Sequence, residues 1–143
     1  MSDRPVATVR PIEDSEASDQ VAAVFADIKA TKGIDFVPNF WRVLATNPLH
    51  LELMWGRLKS LMHPEAEGRA GCLDPLTREI IALAVSATNG CAYCINSHTA
   101  AAQKLGLDVE ALGEVLAIVG LFNSTNAIAD GYQIVPDVRP RQD

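Results

Sequence analysis

The chain is poor in positive charge, in cysteine and in aromatic residues, and the first two shortages each exclude a class of protein. Its 143 residues include 12 lysines and arginines against 18 aspartates and glutamates, a formal net charge of −6. A protein that binds nucleic acid or an anionic membrane surface through its charge needs a basic face. We therefore expect neither partner. Three cysteines are too few, and an odd number, for a disulfide scaffold.

Long apolar runs are also absent, which bears on where the protein resides. The unbroken apolar stretches are short, as at residues 80–85, whereas a helix that spans a bilayer needs about 20 apolar residues. Residues 1–18 contain no apolar segment of the signal-peptide type. We expect a cytoplasmic protein, in which thiols stay reduced and a close pair of cysteines is redox-active or metal-binding.

What the sequence does contain is helical periodicity through most of its length. Apolar residues recur at spacings of three and four within 21–28, 51–62 and 112–122, as on one face of a helix. Asp74 and Pro75 form a helix start, with a carboxylate cap and a proline in the first turn, and Asn89 and Gly90 end that helix. The pattern predicts an all-α bundle of about six helices. We expect a single domain over 1–143, with arms rich in proline and charge at 1–12 and 136–143.

Three of the apolar segments lead to specific packing predictions. Residues 77–87 are apolar almost all round, as in a helix that is buried on several sides. The last helix is expected to direct one face inward, formed by Leu112, Val115, Leu116, Val119 and Phe122. A first stripe is expected to need cover from a second subunit, because contiguous exposed apolar surface marks an interface; it consists of Val21, Val24, Phe25 and Ile28. This surplus of apolar faces predicts a homo-oligomer.

The residues suited to chemistry are concentrated in one segment, which contains Cys91, Cys94 and His98. At about 100° per residue these three side chains fall within an arc of roughly 60° on one helical face. His98 follows Cys94 by four residues, so its imidazole can reach that sulfur. Two thiols at this spacing can close a disulfide and therefore carry two electrons.

Two further features extend this constellation. Cys91 follows a glycine at the predicted helix start, where unpaired N–H groups and the helix dipole favour a thiolate. Glu79 lies on an apolar helix face with Leu83 and Ser86 as neighbours. Desolvation favours the protonated form of such a carboxylate, which suits it to relay protons near an imidazole and two thiols.

Metal binding is the main structural alternative for the cysteine pair. A zinc site usually has a second pair of ligands, such as another CxxC or an HxxxH. The cysteine pair has no such second pair, and only the single residues His98 and Glu79 are further candidates. We therefore expect no metal. A c-type haem needs a histidine directly after the second cysteine, and Ile95 stands there. The third cysteine, Cys72, has no partner motif and is interpreted as incidental.

The segment REIIALAVSATNGCAYCINSHTAAAQKLG, residues 78–106, resembles the core of the alkylhydroperoxidase D-like (AhpD-like) proteins in the carboxymuconolactone decarboxylase superfamily. The peroxidase-related branch is the most similar. VPNFWRVLATNP upstream and FNSTNAIADGY downstream are similar to the same branch, so the resemblance extends over about residues 37–136.

This resemblance implies an AhpD-like helical bundle that assembles into dimers, trimers or hexamers. It also implies thiol-dependent reduction of hydroperoxides without a cofactor or metal, and an external dithiol as reductant. Cys91 and Cys94 match the redox pair of the family, and Glu79 and His98 match its proton relay. In the family's best-known peroxidases the second cysteine, Cys94 here, attacks the peroxide, whereas the helix start favours Cys91 as the thiol of lower pKa. Tyr93 stands where those peroxidases place a histidine.

Two other functions fit the same residues. The cysteine pair could serve a disulfide reductase or a redox sensor that acts on another protein. Alternatively, the domain could be a zinc-stabilised, non-catalytic oligomerisation module. The lactone decarboxylases of the superfamily generally lack the pair, so its presence here argues against their activity.

Overall fold

The structure is a computed structural model that describes residues 7–143, and within this range it contains helices and no strand. The prediction of an all-α fold with six helices is confirmed. The chain divides into two compact units, Met1–Cys72 and Leu73–Asp143, each with its own hydrophobic core. The single domain with terminal arms stays a prediction, and residues 1–6 of the first arm lie outside the described residues.

The first unit contains three α-helices and two short 3-10 turns. Their bounds are α1 Asp19–Lys32, α2 Asn39–Leu44 and α3 Pro48–Met62, with the turns at Asp14–Glu16 and Pro64–Glu67. Helix α1 begins where the Ser18 side chain accepts the Val21 N–H, and it ends at Gly33 in the left-handed conformation. Both ends follow from local cap chemistry.

The core of the first unit lies between α1 and α3, and it corrects one packing prediction. Val21, Phe25 and Ile28 are buried together with Leu51 and Trp55 of α3. Val24, the fourth member of the stripe, packs against the same cluster. The expectation that a second subunit covers this stripe is therefore wrong, because α3 covers it within the chain.

The second unit consists of α4, α5 and α6, which span Pro75–Asn89, Ala92–Lys104 and Val109–Gly131. Helix α4 begins as the sequence predicts, with the Asp74 carboxylate accepting the Thr77 N–H at 2.9 Å. Its core joins all three helices around buried Leu83, Ala102 and Leu107. Helix α4 lies between the other two in this arrangement, since it contacts both α5 and α6.

One prediction about the outer faces of this unit is wrong, and a second is wrong in part. Helix α4 is not buried on several sides, because Ile81 and Val85 are 48% and 54% exposed. In α6, Leu116 and Phe122 are exposed, whereas Leu112 and Val115 pack against the core as predicted. The reason is the small number of neighbours. Within the described residues α4 packs mainly against α5 and α6, and α6 packs mainly against α4, so the remaining faces of both helices have no element over them.

Helix α6 also has the length and composition of a membrane span. An 18-residue window of this helix has a mean hydropathy of 1.3, and none of that window is buried. No other helix among residues 7–143 meets these criteria. Its apolar runs are interrupted by polar residues such as Glu114 and Asn123, which is why the sequence shows no long unbroken run.

Candidate redox site

The cysteine pair stands at the start of α5, and the end of α4 determines its position. Gly90 ends α4 with a positive φ of 72°, a conformation that favours glycine. The N–H of Cys91 then donates to the Ser86 carbonyl at 3.0 Å. Cys91 becomes the N-cap of α5, and its Sγ accepts the Cys94 N–H at 3.2 Å. The tight turn between the helices thus places the Cys91 sulfur at the N-terminal end of α5.

A disulfide joins Cys91 to Cys94. Their Cα atoms are 5.3 Å apart, a separation that a disulfide spans without movement of the backbone. Both residues are partly buried, so the sulfurs are neither sealed in the core nor fully exposed. The arrangement agrees with the predicted capacity of this pair to exchange two electrons.

Glu79 and His98 meet across the interface between α4 and α5. Glu79 Oε2 lies 2.7 Å from His98 Nδ1, a distance typical of a charge-assisted hydrogen bond. Glu79 is only 8% exposed, and His98 is partly buried. A carboxylate that accepts the Nδ1–H of an imidazole fixes its orientation and leaves Nε2 as the basic nitrogen. This pair is therefore arranged to hold and pass a proton.

Packing on both helices supports the contact between Glu79 and His98. Leu83 follows Glu79 by one turn of α4, and Ala102 follows His98 by one turn of α5. Both residues are fully buried in the same cluster. Interiors are packed so densely that a shift of either helix would open a void or create a clash. The apolar core thereby fixes the distance between the two polar side chains.

Two remaining residues clarify what sequence reasoning identified and what it missed. Cys72, interpreted as incidental, is exposed and free of a disulfide. Arg78 belongs to no motif in the sequence, so its structural role could not be predicted. It is buried, and its Nη2 donates to the Leu73 carbonyl at 2.6 Å, which fastens the start of α4. Within residues 7–143, no group of three or more histidine, cysteine, aspartate or glutamate side chains is arranged to hold a metal ion.

The chain is similar to known proteins in sequence and in structure. Residues 58–136 match the model of the carboxymuconolactone decarboxylase family. The crystal structure of the alkylhydroperoxidase AhpD core from Rhodospirillum rubrum is 48% identical, with a TM-score of 0.85 over 93% of this chain and 96% of that one. Alkyl hydroperoxide reductase AhpD from Streptomyces griseus is 24% identical over 96% of this chain and 76% of its own length. The protein of the same name from Solibacter usitatus is 31% identical over 63% of this chain and 48% of its own length.

The match to the family model covers more than half of the chain, and the similar crystal structure covers nearly all of it. The all-α fold agrees with this assignment, and so does the cysteine pair at the start of α5 that the resemblance to AhpD-like proteins predicts. The chain belongs to the carboxymuconolactone decarboxylase family and is one of its AhpD-like members.

Proposed function

We propose that the protein is a thiol-dependent, peroxidase-like oxidoreductase that reduces hydroperoxides through the Cys91–Cys94 pair. The observation that carries the proposal is the joint presence of this disulfide at the start of α5 and of the Glu79–His98 contact between α4 and α5. The relatives named alkyl hydroperoxide reductase support the same chemistry. No metal or organic cofactor takes part in the proposed reaction.

The oxidative half of the cycle uses one thiol as nucleophile and the other to resolve the product. His98 lies one turn after Cys94 on α5, so we assign Cys94 as the attacking thiol, with Glu79 and His98 acting together as its proton relay. The Cys94 thiol gives its proton to His98, and the resulting thiolate attacks the O–O bond and becomes a sulfenic acid. The O–O bond breaks, and the leaving alkoxide takes the proton from His98 and departs as an alcohol. Cys91 then attacks the sulfenic sulfur, which forms the disulfide and releases water.

The reductive half of the cycle converts the disulfide back to two thiols and requires an external reductant. An external dithiol exchanges with the Cys91–Cys94 disulfide and leaves as an oxidised disulfide. The cytoplasm keeps thiols reduced, and we place the protein there. The dithiol thus donates two electrons in each cycle, and the hydroperoxide is the substrate.

We also infer that the protein acts as a homo-oligomer. The second half of α6 exposes Leu121, Phe122 and Ile128, and contiguous exposed apolar surface marks an interface. The inference of an oligomer therefore rests on the exposed residues of α6 and no longer on the α1 stripe, which α3 covers. Light scattering at micromolar concentration is expected to give a multiple of 15.4 kDa, and a stable monomer would contradict it.

Steady-state consumption of an organic hydroperoxide, with dithiothreitol as reductant, tests the proposed activity. The wild type is expected to turn over, and Cys91→Ser and Cys94→Ser are each expected to lose turnover. Cys72→Ser, outside the site, serves as the matched control and should keep the wild-type rate. Equal rates in all four proteins would refute the proposal.

The alternative functions give different results in the same preparation. A disulfide reductase or redox sensor would reduce a protein disulfide but leave the hydroperoxide unchanged. A zinc-stabilised module would bind one zinc per chain and block titration of the two thiols. Metal analysis of protein prepared without chelator distinguishes the latter.

A further inference from the structure

The two sulfurs of the Cys91–Cys94 disulfide have different surroundings. Cys91 is the N-cap of α5, and its Sγ accepts the Cys94 N–H at 3.2 Å. Cys94 lies within the first turn of that helix. In the part of the chain that the structure describes, no hydrogen bond reaches the Cys94 sulfur. The disulfide is therefore polarised by its position, with one sulfur at the positive end of a helix.

We propose that an external dithiol opens this disulfide by bonding to the Cys94 sulfur, and that Cys91 is the leaving thiolate. This assignment rests on the dithiol cycle of the proposed function. It concerns only the reductive half of that cycle, and it names the cysteine on which the mixed disulfide with the reductant forms.

The charge that develops on the leaving sulfur explains this choice. When the disulfide opens, one sulfur takes the bonding electron pair and becomes negative. At Cys91 that charge meets the Cys94 N–H and the N-terminal end of a 13-residue helix. Both favour a thiolate, and the thiol of lower pKa leaves faster in thiol–disulfide exchange.

The side chains of α5 do not offset this effect. The first turn of α5 contains no acidic residue, and Lys104 lies in its last turn, where a cation complements the helix dipole. The carboxylate of the neighbouring helix, Glu79, is engaged with His98 at 2.7 Å. The positive end of α5 is thus left to act on the Cys91 sulfur.

The exchange balances without any further reactant. A thiolate of the reductant forms a bond to Cys94 Sγ, the Cys91–Cys94 bond breaks, and its electron pair goes to Cys91 Sγ. The second thiol of the reductant loses its proton to solvent and attacks the reductant's own sulfur in the mixed disulfide. This attack releases Cys94 as a thiolate and the reductant as a disulfide, so two electrons pass to the protein.

Trapping the mixed disulfide tests the assignment directly. Oxidised Cys72→Ser protein is mixed with glutathione, a monothiol that cannot complete the second exchange. Samples are quenched with acid at short times, alkylated with N-ethylmaleimide, and fragmented by tandem mass spectrometry. We expect glutathione on Cys94 and the maleimide on Cys91, with a preference of about fivefold or more. Glutathione mainly on Cys91, or equally on both, would overturn the proposal.

Single-cysteine proteins give a second measurement that does not depend on trapping. In the Cys72→Ser background, Cys94→Ser retains Cys91 together with the backbone N–H that caps it, and Cys91→Ser retains Cys94. Both proteins also carry His98→Gln, which removes the imidazole one turn after Cys94, so that only the helix start distinguishes the two thiols. We expect Cys91 to react with iodoacetamide at pH 7 about fivefold faster than Cys94. Equal rates, or a faster Cys94, would contradict the proposal.

These outcomes are separable from the fate of the peroxidase proposal, because neither experiment uses a peroxide. If hydroperoxide turnover is absent and glutathione still adds to Cys94, the proposed substrate is wrong and the polarity of the disulfide stands. If turnover is present and glutathione adds to Cys91, the polarity is wrong and the peroxidase stands.

Discussion

Replacing Glu79 with glutamine tests whether this carboxylate moves protons or only fills space. Glutamine has nearly the same size, and its amide oxygen can still accept a hydrogen bond from His98 Nδ1, which is now 2.7 Å from Oε2. Because Glu79 is buried, solvent cannot simply take its place. We expect the variant to fold, and its rate of thiol oxidation by hydroperoxide to fall.

The size of the loss separates the two roles. If Glu79 only orients the imidazole, the change from a charge-assisted to a neutral hydrogen bond costs about 1 kcal/mol, or roughly fivefold in rate. If Glu79 is part of the relay, the loss follows the ~10²–10⁴-fold contribution of positioned acid–base groups. We expect about 100-fold at pH 7, the lower end, because the imidazole remains. That factor corresponds to about 2.7 kcal/mol.

Stopped-flow oxidation between pH 6 and 9 measures this effect. The loss should shrink toward about pH 8.5, where free thiols ionise without help. His98→Gln should behave similarly, and the double variant should be little worse than either single one, because the two groups act as a unit. Glu114→Gln, an exposed change in the same unit, is the matched control. A rate within fivefold of wild type for Glu79→Gln, with helical circular dichroism intact, would remove Glu79 from the mechanism.

Two further predictions concern stability, measured by urea denaturation. Gly90→Ala should destabilise the protein by about 1–2 kcal/mol, because Gly90 has a φ of 72°, whereas Gly113→Ala within α6 should be neutral or stabilising by up to about 1 kcal/mol. Equal effects would refute the role of the turn. Burial raises the pKa of Asp27, but hydrogen bonds from Trp55 at 2.7 Å and Lys59 at 2.9 Å outweigh it and hold that pKa below its ordinary value. A carboxylate with a depressed pKa contributes stability above the ordinary carboxyl pKa range, and this contribution is lost as the pH falls through the folded-state pKa. Asp27→Asn should therefore remove this part of the decrease in the free energy of unfolding at acid pH. An unchanged pH dependence in the variant would contradict the prediction.

The helix boundaries could be predicted from sequence because their causes are local. Ser18 and Asp74 each accept an N–H three residues later, and both caps are visible in the sequence as polar residues before an apolar run. The spacing of Cys94 and His98, one turn apart on α5, likewise needs only the pitch of a helix. These features required no knowledge of how the helices pack.

The contact between Glu79 and His98 depends on tertiary packing, and spacing alone could not give its distance. The residues are 19 positions apart on different helices, and the cluster around Leu83 and Ala102 brings them together. Packing also explains the errors on the outer faces. An apolar pattern predicts that a side chain favours burial, but it does not predict which helix or subunit covers that side chain. The stripe on α1 is covered by α3 within the chain, whereas Phe122 of α6 remains exposed.

The most direct test of the proposed chemistry is the fate of the thiols after one equivalent of hydroperoxide. Fully reduced protein is mixed with the hydroperoxide under anaerobic conditions, its free thiols are titrated, and its disulfides are mapped by mass spectrometry. The account predicts that two of the three thiols are lost, that the new bridge joins Cys91 to Cys94, and that Cys72 stays free. A bridge to Cys72, or the full set of free thiols after exposure, would contradict it.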